Sequence, residues 1–135
     1  MNLYITSHSD EFSLKKHIQN ISAYNVIDID MLLNIHNFNY NNLNDCQYFL
    51  ITGIIEKIIT ASVKRKTCKG VIYNNSYINE NNSQNIINGF KSYDIFENFY
   101  IIDNYLNPHL TFLYEEIQEI VYINYISNDK IMLEN

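Results

Sequence analysis

Three glycines and one proline in 135 residues leave this chain few ways to turn sharply. Positive φ costs little only at glycine, so the sequence cannot hold many tight turns of that kind, a glycine-rich phosphate loop or a collagen repeat. Dinucleotide-binding and Walker-type fingerprints are excluded. The chain is nonetheless 47% apolar. At this length folding removes roughly two thirds of the unfolded surface from water, enough for one core without disulfides or metals. A disordered chain is excluded and a single domain, 1–135, is expected. Asn (22) and Ile (23) fill one position in three. Both are encoded by AT-rich codons, so their joint excess reads as genome composition, as in a phage or mobile element, and is assigned no chemistry.

Hydrophobic periodicity alternates between strand and helix along the chain. Residues 2–6 read as a strand, and Ser9 or Asp10 can cap a helix over 11–19 with Phe12, Leu14 and Ile18 as its apolar positions. A strand follows at 24–29 and a short apolar segment at 31–35. From Asp45 a long helix runs to about Lys66, its apolar positions being Phe49, Leu50, Ile54, Ile58, Ala61 and Val63. Gly70 is placed to end that helix and lead into a strand at 71–73. Residues 74–85 read as a polar loop, 99–103 as a buried strand, and Asn107-Pro108 as a helix start with Leu110, Leu113, Tyr114 and Ile117 on its face. Residues 120–126 alternate as a last strand. Together these predict an α/β or α+β layer fold, a mixed sheet of about five strands with three to four helices.

Residues 1–13 carry no signal-peptide pattern, and the longest apolar stretch, 48–55, falls short of a membrane span. A soluble, cytoplasmic protein with no membrane partner is expected. Cys46 and Cys68 form neither a metal pattern nor a disulfide framework. His8, His17, His36 and His109 lack ligand spacing, so neither a metal nor a cofactor is expected. Ser7, His8 and Asp10 have triad residue types, but neighbours on one turn rarely meet triad geometry.

Charge is unevenly placed. Residues 1–93 carry seven acids and eight bases, whereas 94–135 carry eight acids and only Lys130, so the last third holds net −7 of the total −6. Such a field attracts basic partners and opposes binding to the phosphate backbone of nucleic acid. Lys64, Arg65, Lys66 and Lys69 form the opposite pole, where bases at a helix C-terminus offset its dipole. Tyrosine, of which there are 12, offers large contact area with a polar tip, and the region of Tyr77, Tyr93, Tyr100 and Tyr105 is a candidate interface. The expected partner-binding set is Asp94, Glu97, Tyr100, Asp103, Tyr105, Glu115, Glu116 and Glu119. No complete catalytic set is visible. The expected function is recognition or neutralisation of a basic protein such as a toxin, of the immunity-protein, antitoxin or phage-accessory kind.

A second expectation comes from three segments. Val26-Ile-Asp-Ile-Asp-Met-Leu-Leu33, the long helix over 45–66 and Gly70-Val-Ile-Tyr-Asn-Asn-Ser76 together resemble the RES family of toxin domains, of ADP-ribosyltransferase-like fold. The resemblance covers residues 26–90 and implies NAD consumption, with Tyr73 and Ser76 near the nucleotide. The family's catalytic Arg and Glu are not found: no Arg precedes Arg65, and Lys15 and Lys16 fall where the Glu would stand.

Overall fold

The computed structural model describes residues 1–7 and 11–133. The expected cap at Ser9 or Asp10, the histidine His8 and the acid Glu134 lie outside them. Five strands, β1 (Asn2–Thr6), β2 (Tyr24–Asp28), β3 (Gly70–Asn74), β4 (Asn98–Asn104) and β5 (Glu119–Ile123), form one sheet in the order β2-β3-β1-β4-β5. Every pairing is parallel. The α/β layer fold is as expected, but the sheet runs in one direction where a mixed one is expected. Parallel neighbours cannot be joined by a short hairpin, and each link here carries helical structure instead. The links include α1 (Glu11–His17), α2 (Ile29–Ile35), α3 (Asp45–Lys64) and α4 (Ser83–Lys91), with 3-10 segments at Ile21–Ala23, Tyr40–Asn42 and Thr111–Glu116.

Side chains alternate across a strand, and each strand therefore feeds two cores. Leu3, Ile5, Ile27, Val71, Tyr73 and Ile101 face one way and pack with Leu33, Ile51, Ile59, Ile87, Phe90 and Leu113. Tyr4, Tyr24, Ile72, Ile102 and Ile123 face the other way, towards Leu14, Ile18 and Leu133. One face thus carries α2, α3, α4 and the segment Thr111–Glu116. The other carries α1 and the C-terminal tail. The tail is tied to the end of α1 by backbone bonds from Gln19 N to the Ile131 carbonyl (2.7 Å) and from Ile131 N to the His17 carbonyl (2.9 Å). The Asn20 amide also bonds both the N–H and the carbonyl of Leu133, each at 2.8 Å.

Four local expectations are corrected. The face that α3 buries is Ile51, Ile59 and Ser62, whereas Phe49, Leu50, Ala61 and Val63 are exposed. Ile51, Ile54, Ile55, Ile58 and Ile59 recur at helical spacing on that face, and the expected positions combine Ile54 and Ile58 from it with apolar residues of the opposite side. Contact with the sheet on this face includes a hydrogen bond from Asn25 Nδ2 to Ser62 Oγ. Asn44, with a reciprocal bond from Gln47, forms the capping box that starts α3. The polar loop after β3 is shorter than expected because α4 begins at Ser83. No α-helix starts at Asn107-Pro108: the Asp103 carboxylate accepts the N–H groups of His109 and Leu110 that an Asn107 cap would take, and the chain enters the short 3-10 segment Thr111–Glu116.

Gly70 does not end a helix in the left-handed conformation, since no described glycine has positive φ. It opens β3 at a point where a Cβ would overlap the Asn2 carbonyl oxygen and lie 3.1 Å from the Tyr24 ring. Gly70→Ala is expected to cost about 3 kcal/mol of unfolding free energy, at the upper end for overpacking because the obstacle is backbone. Denaturant titration checks this, and a loss below ~0.5 kcal/mol would contradict the close approach.

The buried tyrosines of the two cores also predict an alkaline limit. Tyr4 stacks on Tyr100 (4.8 Å between centroids) and meets Tyr24 edge-on (5.6 Å). Burial raises the pKa of the Tyr4, Tyr24, Tyr73 and Tyr125 hydroxyls. The unfolded chain releases these protons near pH 10 while the folded chain keeps them. Stability from this source is therefore complete below about pH 10 and falls as pH rises beyond it. Tyrosinate absorbance should develop in two stages, exposed hydroxyls first and the buried set together with loss of far-UV ellipticity. A single stage without unfolding would contradict this assignment.

Candidate partner-binding surface

Beyond the carboxyl end of β4 the chain must turn back across the sheet, and Asp103 organises that turn. Its carboxylate is 3% exposed. It accepts N–H groups from Asn104 (2.7 Å), His109 (3.1 and 3.2 Å to the two oxygens) and Leu110 (3.1 Å). Four contacts to one carboxylate satisfy the amides of a loop that has no ladder to join. The loop delivers Leu110 and Leu113 into the larger core and lays Thr111–Glu116 beside the start of α4.

A groove of about 290 Å³ lies between these segments. Phe112 and Leu113 supply apolar surface, Ser83 and Gln84 come from the first turn of α4, and three carboxylates line it: Glu80, Glu115 and Glu116. Among the described residues no Lys, Arg or His lines it. Glu115 and Glu80 are exposed, whereas Glu116 is half-buried and its Oε2 is buried without a hydrogen-bond partner among the described residues. A buried carboxylate oxygen lacking a donor is costly, and a cation entering the groove would remove that cost. Glu80 lies in the electrically balanced part of the sequence and escaped the division by charge. Only the packing of α4 against the 3-10 segment brings it to Glu115 and Glu116.

The remaining residues of the expected set are dispersed. Asp94 and Glu97 are exposed just before β4, and Glu119 is exposed at the start of β5. These belong to the amino edge of the sheet, separated from Tyr105 at the carboxyl edge by the seven residues of β4, about 20 Å. Asp103 is a correction: it is internal and committed to backbone amides, so it is not part of the outer surface. Tyr100 is half-buried against Tyr4. Tyr105 is exposed and meets Tyr122 edge-on at 6.2 Å. Nor do the candidate tyrosines form one patch: Tyr77 stacks on Tyr40 (4.8 Å) beside α4, while Tyr93 leans on Phe90 (6.4 Å).

Tyr73 and Ser76, the positions suggested by the RES-like segments, are separated by burial. The Tyr73 ring packs on Phe90, and its hydroxyl accepts the Asn75 amide at 3.0 Å. Ser76 is exposed and donates its N–H to Asp30 Oδ1 at 3.1 Å. Among the described residues no group of His, Cys, Asp and Glu is arranged to hold a metal. α3 is long and apolar enough to span a bilayer by length and composition, and here it packs on the sheet with much of its surface exposed. Comparison with protein-family models, curated proteins and solved structures finds no match to this chain.

Proposed function

We propose that this chain is a small binding protein that recognises a basic protein partner, of the immunity-protein, antitoxin or phage-accessory kind, and does so through the groove between α4 and Thr111–Glu116. The observation that carries the proposal is the convergence of Glu80, Glu115 and Glu116 on one groove that contains no base, with Glu116 Oε2 buried and lacking a donor. A Lys or Arg side chain of the partner fits this chemistry. Its methylene stem lies along Phe112 and Leu113 while its charged end meets the carboxylates. The outlying acids, Asp94, Glu97 and Glu119, act at longer range by raising the rate of encounter. The proposal places the protein in the cytoplasm, where the unpaired thiols Cys46 and Cys68 stay reduced.

The two classes of carboxylate give separable outcomes. Glu116→Gln removes the charge deepest in the groove and is expected to weaken binding by about 2 kcal/mol, roughly thirtyfold, mainly through faster dissociation. Asp94→Asn with Glu97→Gln should leave dissociation unchanged and slow association, most visibly at low salt. The partner is captured from the native host, purified, and its binding measured between low and high salt by surface plasmon resonance. Affinity indifferent to salt and to Glu116→Gln would refute the proposal.

A further inference from the structure

A second recess lies at the opposite end of the fold's connectivity and uses none of the groove residues. The chain leaves β1 towards the face that carries α1, whereas it leaves the neighbouring β3 towards the face that carries α4. Where adjacent parallel strands send their connections to opposite faces, a crevice opens beyond their carboxyl ends, and open α/β sheets bind small ligands there. Next to this edge, beyond the carboxyl end of β2, lies a cleft of about 550 Å³, walled on one side by the first turns of α1 and on the other by the end of β2 and the start of α2.

Asp28 joins the two walls. Its side chain is 3% exposed, with Oδ2 accepting the Glu11 N–H that begins α1 and Oδ1 accepting the Met31 N–H in the first turn of α2, both at 3.1 Å. The cleft therefore has a fixed width, set by one carboxylate that is already occupied. Two large apolar side chains stand in the walls although water reaches them: Phe12, 67% exposed, and Met31, 44% exposed. Lys16 Nζ lies 4.5 Å from the centroid of the Phe12 ring. Between the walls is Asp30, whose Oδ1 takes the Ser76 N–H at 3.1 Å and whose second oxygen makes no described hydrogen bond. Charge in the lining is three carboxylates, Glu11, Asp28 and Asp30, against Lys15, which pairs with Glu11 at 3.4 Å. This balance rejects anions and favours N–H donors or a cation.

We propose that the cleft between α1 and α2 binds a flat heteroaromatic molecule bearing amino or ring N–H donors, its faces against Phe12 and Met31 and its donors on Asp30. Apolar contact with a ring and a thioether supplies the affinity. The carboxylate supplies orientation and discriminates against analogues that carry a negative charge.

The probe is 2-aminobenzimidazole, a planar ring with adjacent N–H donors, followed by amide chemical shifts of the ¹⁵N-labelled full chain. Saturable shifts are expected at Phe12, Met31, Asp30 and Ser76 at millimolar probe or below, with none at Glu115 or Glu116. Asp30→Asn keeps an acceptor for the Ser76 N–H and is expected to weaken binding about tenfold. Phe12→Ser alters an exposed side chain and should weaken it by several fold without changing shifts remote from the cleft. Benzimidazole-2-carboxylate should not bind. Absence of saturable shifts in the cleft, equal binding of the carboxylate, or affinity that survives both substitutions would each overturn the proposal. None of these outcomes depends on the basic partner.

Discussion

β1 is parallel to both of its neighbours, and the rest of the molecule is arranged around that fact. All five of its residues are buried, and it pairs along its whole length with β3 on one side and β4 on the other. A parallel neighbour can be reached only by a link that returns from the carboxyl edge to the amino edge, and such links are right-handed. The link from β1 to β2 moves outward across β3. Each later move, from β2 to β3, across β1 to β4, and on to β5, goes the other way. Opposite directions with one handedness put α1 on one face and the other helices on the opposite face, as the two cores record. The faces are unequal for the same reason, and the tail around Ile131 and Leu133 covers what α1 alone leaves open.

The same constraint collects polar residues at the carboxyl edge. Thr6, Asp28, Asn74, Asn75 and Asp103 are all buried, and all lie at or next to the ends of strands. Loops leaving a parallel sheet carry amides that no neighbouring strand can bond, and a buried amide needs an acceptor. Asp28 meets this need for two helix starts and Asp103 for the loop into the last 3-10 segment. Both carboxylates are therefore structural supports, and each stands beside a recess proposed as a binding site. The acidic groove and the cleft between α1 and α2 are both built from segments that have just left this edge.

Acidity that is contiguous in the sequence is not contiguous in space. The last third of the chain holds net −7, yet β4 runs the length of the sheet and carries its acids to both ends and one into the interior. The groove instead combines two of them, Glu115 and Glu116, with Glu80 from the far side of α4. Electrostatic complementarity acts over a surface, so the relevant charge count is that of the groove and its surroundings, not that of a segment.

Much of the fold was legible because short, isolated apolar runs such as those at β1, β3 and β4 have one economical use, as buried strands between polar breaks. The long helix was legible from its extent, and the scarcity of glycine from the outset limited tight turns that need positive φ, although a mixed sheet was still expected. The buried face of α3 was only half legible: Ile51, Ile54, Ile55, Ile58 and Ile59 recur at helical spacing on one side, but Phe49, Leu50, Ala61 and Val63 make the other side apolar as well, and the expected set drew on both. The end of the polar loop was obscured by asparagines that precede α4 and recur within it. Asn107-Pro108 looked like a helix start because the local rule was sound, and it failed because the neighbouring Asp103 carboxylate, buried at the end of β4, had already taken the amides. By itself the sequence determined the class of fold, the succession of most elements and the sign of the charge, all properties of neighbours along a chain. Strand order, the common direction of the strands and the meeting of Glu80 with Glu116, or of Phe12 with Met31, were decided only in the tertiary structure, where crossover handedness and core packing choose which distant residues become neighbours.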